Sequence, residues 1–270
     1  MDQNPPAIPF SEEVFEKIEA AAIATAKIIL TGRYILDVEG PYGLGLTTVE
    51  VGNDDLCQQS NPEEASVVVS HAVSVPMIYR RFTLSKRRIA AAETMGQPLN
   101  LKAVQDAAQV VALQEEAFIY HGQPSVRLPG LLTTEGRNVL RGGDWGAIDR
   151  VLEDVIAAVN LLDTKGYRGP YGLALAPPLY NNLFRHYAGT HLLQVEHLKR
   201  LCTRGIVKAP IEGGVLVAAD VGPIVLGHDL QVSYLGPEAA HWIFTITESF
   251  VLKIEAPDAI CTITPTTALT

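Results

Sequence analysis

Apolar positions near the start of the chain recur every three to four residues. Val14, Ile18, Ala22, Ala26 and Ile29 form one stripe, which predicts an amphipathic helix. Ser11 stands at its N-cap. Glu12 and Glu13 lie in the first turn, where negative charge complements the macrodipole, and Gly32 is the expected stop. Residues 32–43 then read as a short strand closed by a Gly-Pro turn. Residues 46–51 and 65–70 are β-rich and flank a polar tip, 52–64, so 44–75 reads as a long hairpin arm. An isolated hairpin buries little of its own surface and needs a partner. Residues 75–84 continue as strand and carry Arg80 and Arg81.

The helical period returns over 98–121. Val104, Ala108, Val111, Ala112, Phe118 and Ile119 give that predicted helix its apolar side, Glu115 and Glu116 its wet side, and Gly122 its stop. After a loop at 123–130, Asp144 is placed as the cap of a helix whose stripe runs through Ile148, Val151, Leu152, Val155, Ile156, Val159 and Leu162. Residues 169–177 read as a buried strand. Pro177 and Pro178 open a helix through Tyr187, residues 188–190 are a loop, and 192–202 form a further helix. Beyond residue 206 the pattern is β, at 206–209, 214–219, 224–226, 230–234 and 242–254. The class expected is α+β.

Composition narrows the function. Of 270 residues, 47% are apolar and 19% charged, which excludes a disordered chain. Twenty-one Lys and Arg against thirty Asp and Glu give a net charge of −9, so a dedicated nucleic-acid binder is not expected. No apolar run reaches the length of a membrane span, and the first residues have neither the basic nor the apolar segment of a signal peptide. Cys57, Cys202 and Cys261 are few and far apart, as reduced thiols of a cytoplasmic protein are.

Candidate chemistry is sparse. His186, His191 and His197 gather around one loop, but their spacing does not converge on a helix face, so no metal site is expected. There is no GxSxG elbow and no phosphate loop, and a hydrolase would need a nucleophile–base pair that the sequence does not show. The basic run Arg80, Arg81, Lys86, Arg87 and Arg88 is matched by Asp54, Asp55, Glu63 and Glu64 on the arm, a pattern suited to pairing between subunits.

Four segments, 32–43, 115–122, 169–177 and 227–236, followed by 244–260, together resemble the encapsulin shell proteins. The resemblance runs from about residue 11 to residue 263. It implies the tailed-bacteriophage (Hong Kong 97-type) major capsid fold. In that fold 44–75 is the extended loop, 76–122 the peripheral domain with its spine helix and 123–225 the axial domain, while 226–270 returns to the peripheral domain after the N-terminal 1–43. It implies a homo-oligomer of about sixty copies closed into an icosahedral cage in the bacterial cytoplasm. The cage would hold a cargo enzyme, a peroxidase or ferritin-like protein serving oxidative stress defence or iron storage. The cargo's C-terminal targeting peptide would dock at Ala26, Leu30, Arg33, Asp37, Leu230 and Val232. His186, Tyr187, Ala188, Gly189, Thr190 and His191 would form the fivefold pore loop. No catalytic residue, cofactor, nucleic acid or membrane partner is expected. Arg87 stands where many family members carry an aromatic residue, and Ala26 is smaller than the aromatic typical at its position. A phage or prophage capsid protein of the same fold is the alternative. Such proteins often carry a long helical extension before the first packed helix, which here begins near Ser11.

Overall fold

A computed structural model of the chain describes residues 8–52, 65–147, 149–186 and 193–266, together with the backbone of 55–57. In chain order the first elements are α1 (Glu12–Ile29), α2 (Gly32–Ile35), β1 (Val38–Glu39), β2 (Thr48–Glu50), β3 (Asp55–Cys57), β4 (Val67–Val69), β5 (Ala72–Ser74) and β6 (Met77–Ser85). Next come α3 (Lys86–Met95), α4 (Lys102–His121), β7 (Gly122–Gln123), β8 (Leu128–Pro129), β9 (Asn138–Arg141), α5 (Arg150–Thr164) and β10 (Tyr171–Leu175). The last are α6 (Pro177–Asn182), α7 (Gln194–Leu201), β11 (Gly205–Lys208), β12 (Gly214–Ala218), β13 (Ile224–Glu238), β14 (His241–Leu252) and β15 (Ile260–Thr264).

Two sheets organise these elements. The first has the order β1-β13-β14-β6, with β13–β14 and β14–β6 antiparallel. The apolar stripes of α1 and α4 pack on it, so Ile18, Ala22, Val104 and Ala108 share one core with Phe82, Val232, Phe244 and Ile246. The second sheet is mixed, in the order β11-β10-β12-β15-β9. Every residue of β10 and β12 is buried there, and the stripe of α5 covers them. The two layers are continuous, because Ile35, Ile119, Tyr120 and Phe250 join the core of the second sheet. The arm is a pair of short antiparallel ladders, β2 with β5 and β3 with β4. Its root is tucked in, with Leu46, Val49 and Val73 packed on Val225 and Val251, whereas Val67, Val68 and Val69 farther out are all exposed.

Several expectations are corrected. Residues 32–43 are not one strand: a helical turn, α2, precedes the two-residue β1. Gly32 is not a left-handed stop either. α1 ends at Ile29, and Gly32 opens α2 close against α4, where an added Cβ would lie 2.8 Å from Ile119 Cδ1. The helix expected over 98–121 begins only at Lys102, because Pro98 and the Asn100 side chain, which accepts a hydrogen bond from Lys102 N–H, hold the preceding residues in a loop. The basic run at 86–88 opens the separate helix α3. Asp144 does not cap α5. It accepts from Gly146 N–H in a local turn, and α5 starts six residues later at Arg150, with Trp145 held by the carboxylate of Asp154. Ile148 lies outside the described residues. The helix expected to reach Tyr187 ends at Asn182. The segments 224–226 and 230–234 are one fifteen-residue strand whose register shifts around Asp229. β9 and β15 are strands that the hydrophobic pattern did not single out.

Candidate functional site

α1 reaches the first sheet with Ala26 and Leu30 on its inner side. Both are buried and form a small cluster with Ala112 of α4, against which Ile29 and Leu230 pack half-buried. Ile23 lies one turn before Ala26 on the same face and is partly exposed, and Ile28 is 83% exposed. Three of the six candidate docking residues, Ala26, Leu30 and Leu230, are therefore brought together. Val232 is not among them: it is buried deeper, with Phe244 and Ile246.

The two charged candidates part company. Arg33 does not meet Asp37. Its Nε and Nη2 donate to the Glu115 carboxylate at 2.7 and 2.9 Å, its Nη1 to Asp229 Oδ1 at 2.9 Å, and Nη2 also to Glu248. Burial disfavours its charge, but the bonds to Glu115 and the fields of Glu115, Glu248 and Asp229 outweigh that and raise its pKa. Asp37 pairs instead with Arg204, before β11. Asp229 directly precedes Leu230 and accepts from its N–H, so the apolar trio borders a polar rim of Arg33 and Asp229.

Glu115 and Glu116 are buried, not wet. Their turn of α4 is covered by the α1–α2 bend, which supplies donors. Gly32 N–H donates to Glu116 Oε1 at 2.9 Å, and the Thr31 hydroxyl donates to Glu116 Oε2 and lies 3.1 Å from the Tyr120 hydroxyl. Burial pushes Glu116 up to about 7 against these hydrogen bonds, and burial with the neighbouring Glu115 charge pushes Glu248 upward as well. Helical periodicity alone assigns both glutamates to solvent. The donors that overturn it stand more than eighty positions earlier in the chain.

Of the pore-loop candidates, Tyr187, Ala188, Gly189, Thr190 and His191 lie outside the described residues. His186 bridges to Leu193 at the base of that loop, and the neighbouring His197 sits on α7. Among the described residues no three His, Cys, Asp or Glu side chains are grouped to hold a metal ion, and no helix is long and apolar enough to cross a membrane. The described thiols, Cys202 and Cys261, are buried, and burial raises both, to about 12 and about 11. They are inert rather than nucleophilic.

Residues 3–251 match the family model described as the encapsulating protein for peroxidase. The type 1 encapsulin shell protein EncA of Myxococcus xanthus is 32% identical over 94% of this chain and 93% of its own length. A diheme-cytochrome–encapsulin shell fusion protein of Kuenenia stuttgartiensis is 29% identical over 95% of this chain and 74% of its own. Among solved structures, the virus-like particle of Pyrococcus furiosus superposes with a TM-score of 0.72 at 21% identity, covering 93% of this chain and 99% of that one. The capsid of Myoviridae phage XM1 superposes at 0.61 with 11% identity, over 88% and 92%. The fold is thus the α+β fold of tailed-phage capsid proteins, and the chain belongs to the family of type 1 encapsulin shell proteins, structural subunits rather than enzymes, which assemble in many copies into a cage.

Proposed function

We propose that the inner wall of the cage, at the α1–β13 junction, receives the C-terminal targeting peptide of a cargo enzyme. The reading is carried by one observation: Ala26, Leu30 and the half-exposed Leu230 meet at an apolar spot bordered by Arg33 and Asp229. An extended peptide needs apolar side-chain pockets for affinity and a few polar groups for register, and this spot offers both. Asp37 is paired with Arg204 and its backbone carbonyl accepts from Ile224 N–H at the start of β13, and Val232 supports the apolar spot from the core. The cargo is a peroxidase or a ferritin-like protein, in a shell of about sixty subunits in the bacterial cytoplasm, with a role in oxidative stress or iron storage. The loop 186–191 lines the fivefold opening, where each His186 is repeated around the axis.

Native mass spectrometry of shells co-expressed with a peptide-tagged cargo tests docking. In Leu230→Lys shells the mass of the empty cage is expected to stay at about sixty times 29.2 kDa while the cargo is lost. Cargo retained at wild-type stoichiometry would end the docking assignment. For the pore, His186→Ala shells are expected to take up ferrous iron at an altered rate, and an unchanged rate would remove His186 from the path.

A further inference from the structure

Where α1 bends into α2, three carboxyl groups meet one guanidinium and a fourth, Glu116, lies next to Glu115. α4 contributes Glu115, Glu116 and the Tyr120 hydroxyl, β13 contributes Asp229, and β14 contributes Glu248. The bend contributes Arg33, with the Thr31 hydroxyl and Gly32 N–H as neutral donors. β6 places the apolar Ile78 opposite Glu248, and Lys27, in the last turn of α1, is exposed. Among the described residues, Arg33 is therefore the cation that ion pairs bring to this cluster. Glu115, Glu116 and Glu248 are completely buried, whereas Asp229 is 53% and Arg33 19% exposed.

One guanidinium cannot neutralise three buried carboxylates, and like charges sharing a dry site do not all ionise. Glu248 shows where a proton resides. Its Oε1 accepts from Arg33, but its Oε2 is buried with no hydrogen-bond partner. An ionised Glu248 would leave half its charge unpaired, whereas a protonated one is a neutral acid beside the ionised Glu115.

We propose that this cluster is an acid-tightened clasp that fastens the C-terminal end of α1 to α4 and β14, and that its hold weakens as pH rises from mildly acidic to neutral. With protons on Glu116 and Glu248, the buried part is one guanidinium, one carboxylate and two neutral acids. Removing both protons leaves two uncompensated charges without water. Opening the bend hydrates them, so opening is linked to proton release. Both acids are raised in the closed state. Their contribution is complete below the ordinary glutamate value of about 4.5, and the Glu116 share is lost by the time pH reaches about 7. The clasp rests on contacts within one chain and does not depend on cargo docking.

Hydrogen exchange of assembled wild-type shells tests it. After correction for intrinsic exchange, amides of residues 26–36 are expected to lose protection by up to about a hundredfold per pH unit between about pH 5 and about pH 7, approaching the slope of two protons, while α5 amides stay flat. Glu116→Gln keeps the acceptor for Gly32 N–H and removes one of the two titrations, so its slope should fall by about one proton with α5 unchanged. Infrared titration of wild-type shells with carbon-13-labelled glutamate needs no variant, and a protonated carboxyl band is expected to persist at about pH 6. A flat wild-type slope, a wild-type slope retained in both Glu116→Gln and Glu248→Gln, or absence of that band at about pH 6 overturns the clasp. If neither variant assembles, the infrared titration decides alone.

Discussion

The second sheet and the hairpin arm are made from the same residues and reach opposite ends. In β12, Val215, Leu216 and Val217 are wholly buried between β10 and β15. In β4, Val67, Val68 and Val69 are all exposed, paired only with β3. β-Branched residues make both segments extended, but extension is not stability: burial requires a covering surface. The sheet finds that surface in α5 within the chain. Among the described residues the arm has none beyond its root.

Three substitutions break or sharpen this contrast. Leu173→Ala, in the fully buried β10, should cost the isolated chain about 2–5 kcal/mol in urea denaturation, through lost transfer energy and the cavity left behind. A smaller cost would mean the sheet core can collapse around the loss. Asp154→Ala comes next. Its Oδ2 accepts from Trp145 Nε1 at 2.6 Å and from Gly143 N–H at 2.7 Å, so removing it strands buried donors, at about 1–3 kcal/mol by the same measurement. Val68→Ser should change the chain's own denaturation least, by less than about 0.5 kcal/mol, while size-exclusion profiles shift from shells toward small species. Intact Val68→Ser shells would show that the arm does not hold the cage together.

What the sequence made legible follows the same division. α1, α5, β10 and β12 carry periodicities that their own burial enforces, so the pattern of apolar residues locates them. The segments it misplaced are governed by single long-range contacts. α5 starts late because Trp145 tucks under Asp154, and α2 interrupts an expected strand because Glu116 holds Gly32. The candidate site was read in part for a similar reason. Ala26, Leu30 and Leu230 are apolar in any environment, whereas the partners of Arg33 and Asp37 come from three separate elements and a turn, and no local spacing pairs Arg33 with Glu248 or Asp37 with Arg204. The burial of Glu115 and Glu116 had no signal in the helix that bears them.

The position of β15 has a consequence for biosynthesis. It is made after every other described strand, yet it lies inside the second sheet, between β12 and β9. On the ribosome that sheet must therefore wait, with the apolar β12 and the mixed β9 each lacking a partner along one edge, until residues 260–264 emerge. A nascent chain cut short before Ile260 lacks the strand that joins β12 to β9 and so cannot finish the second sheet.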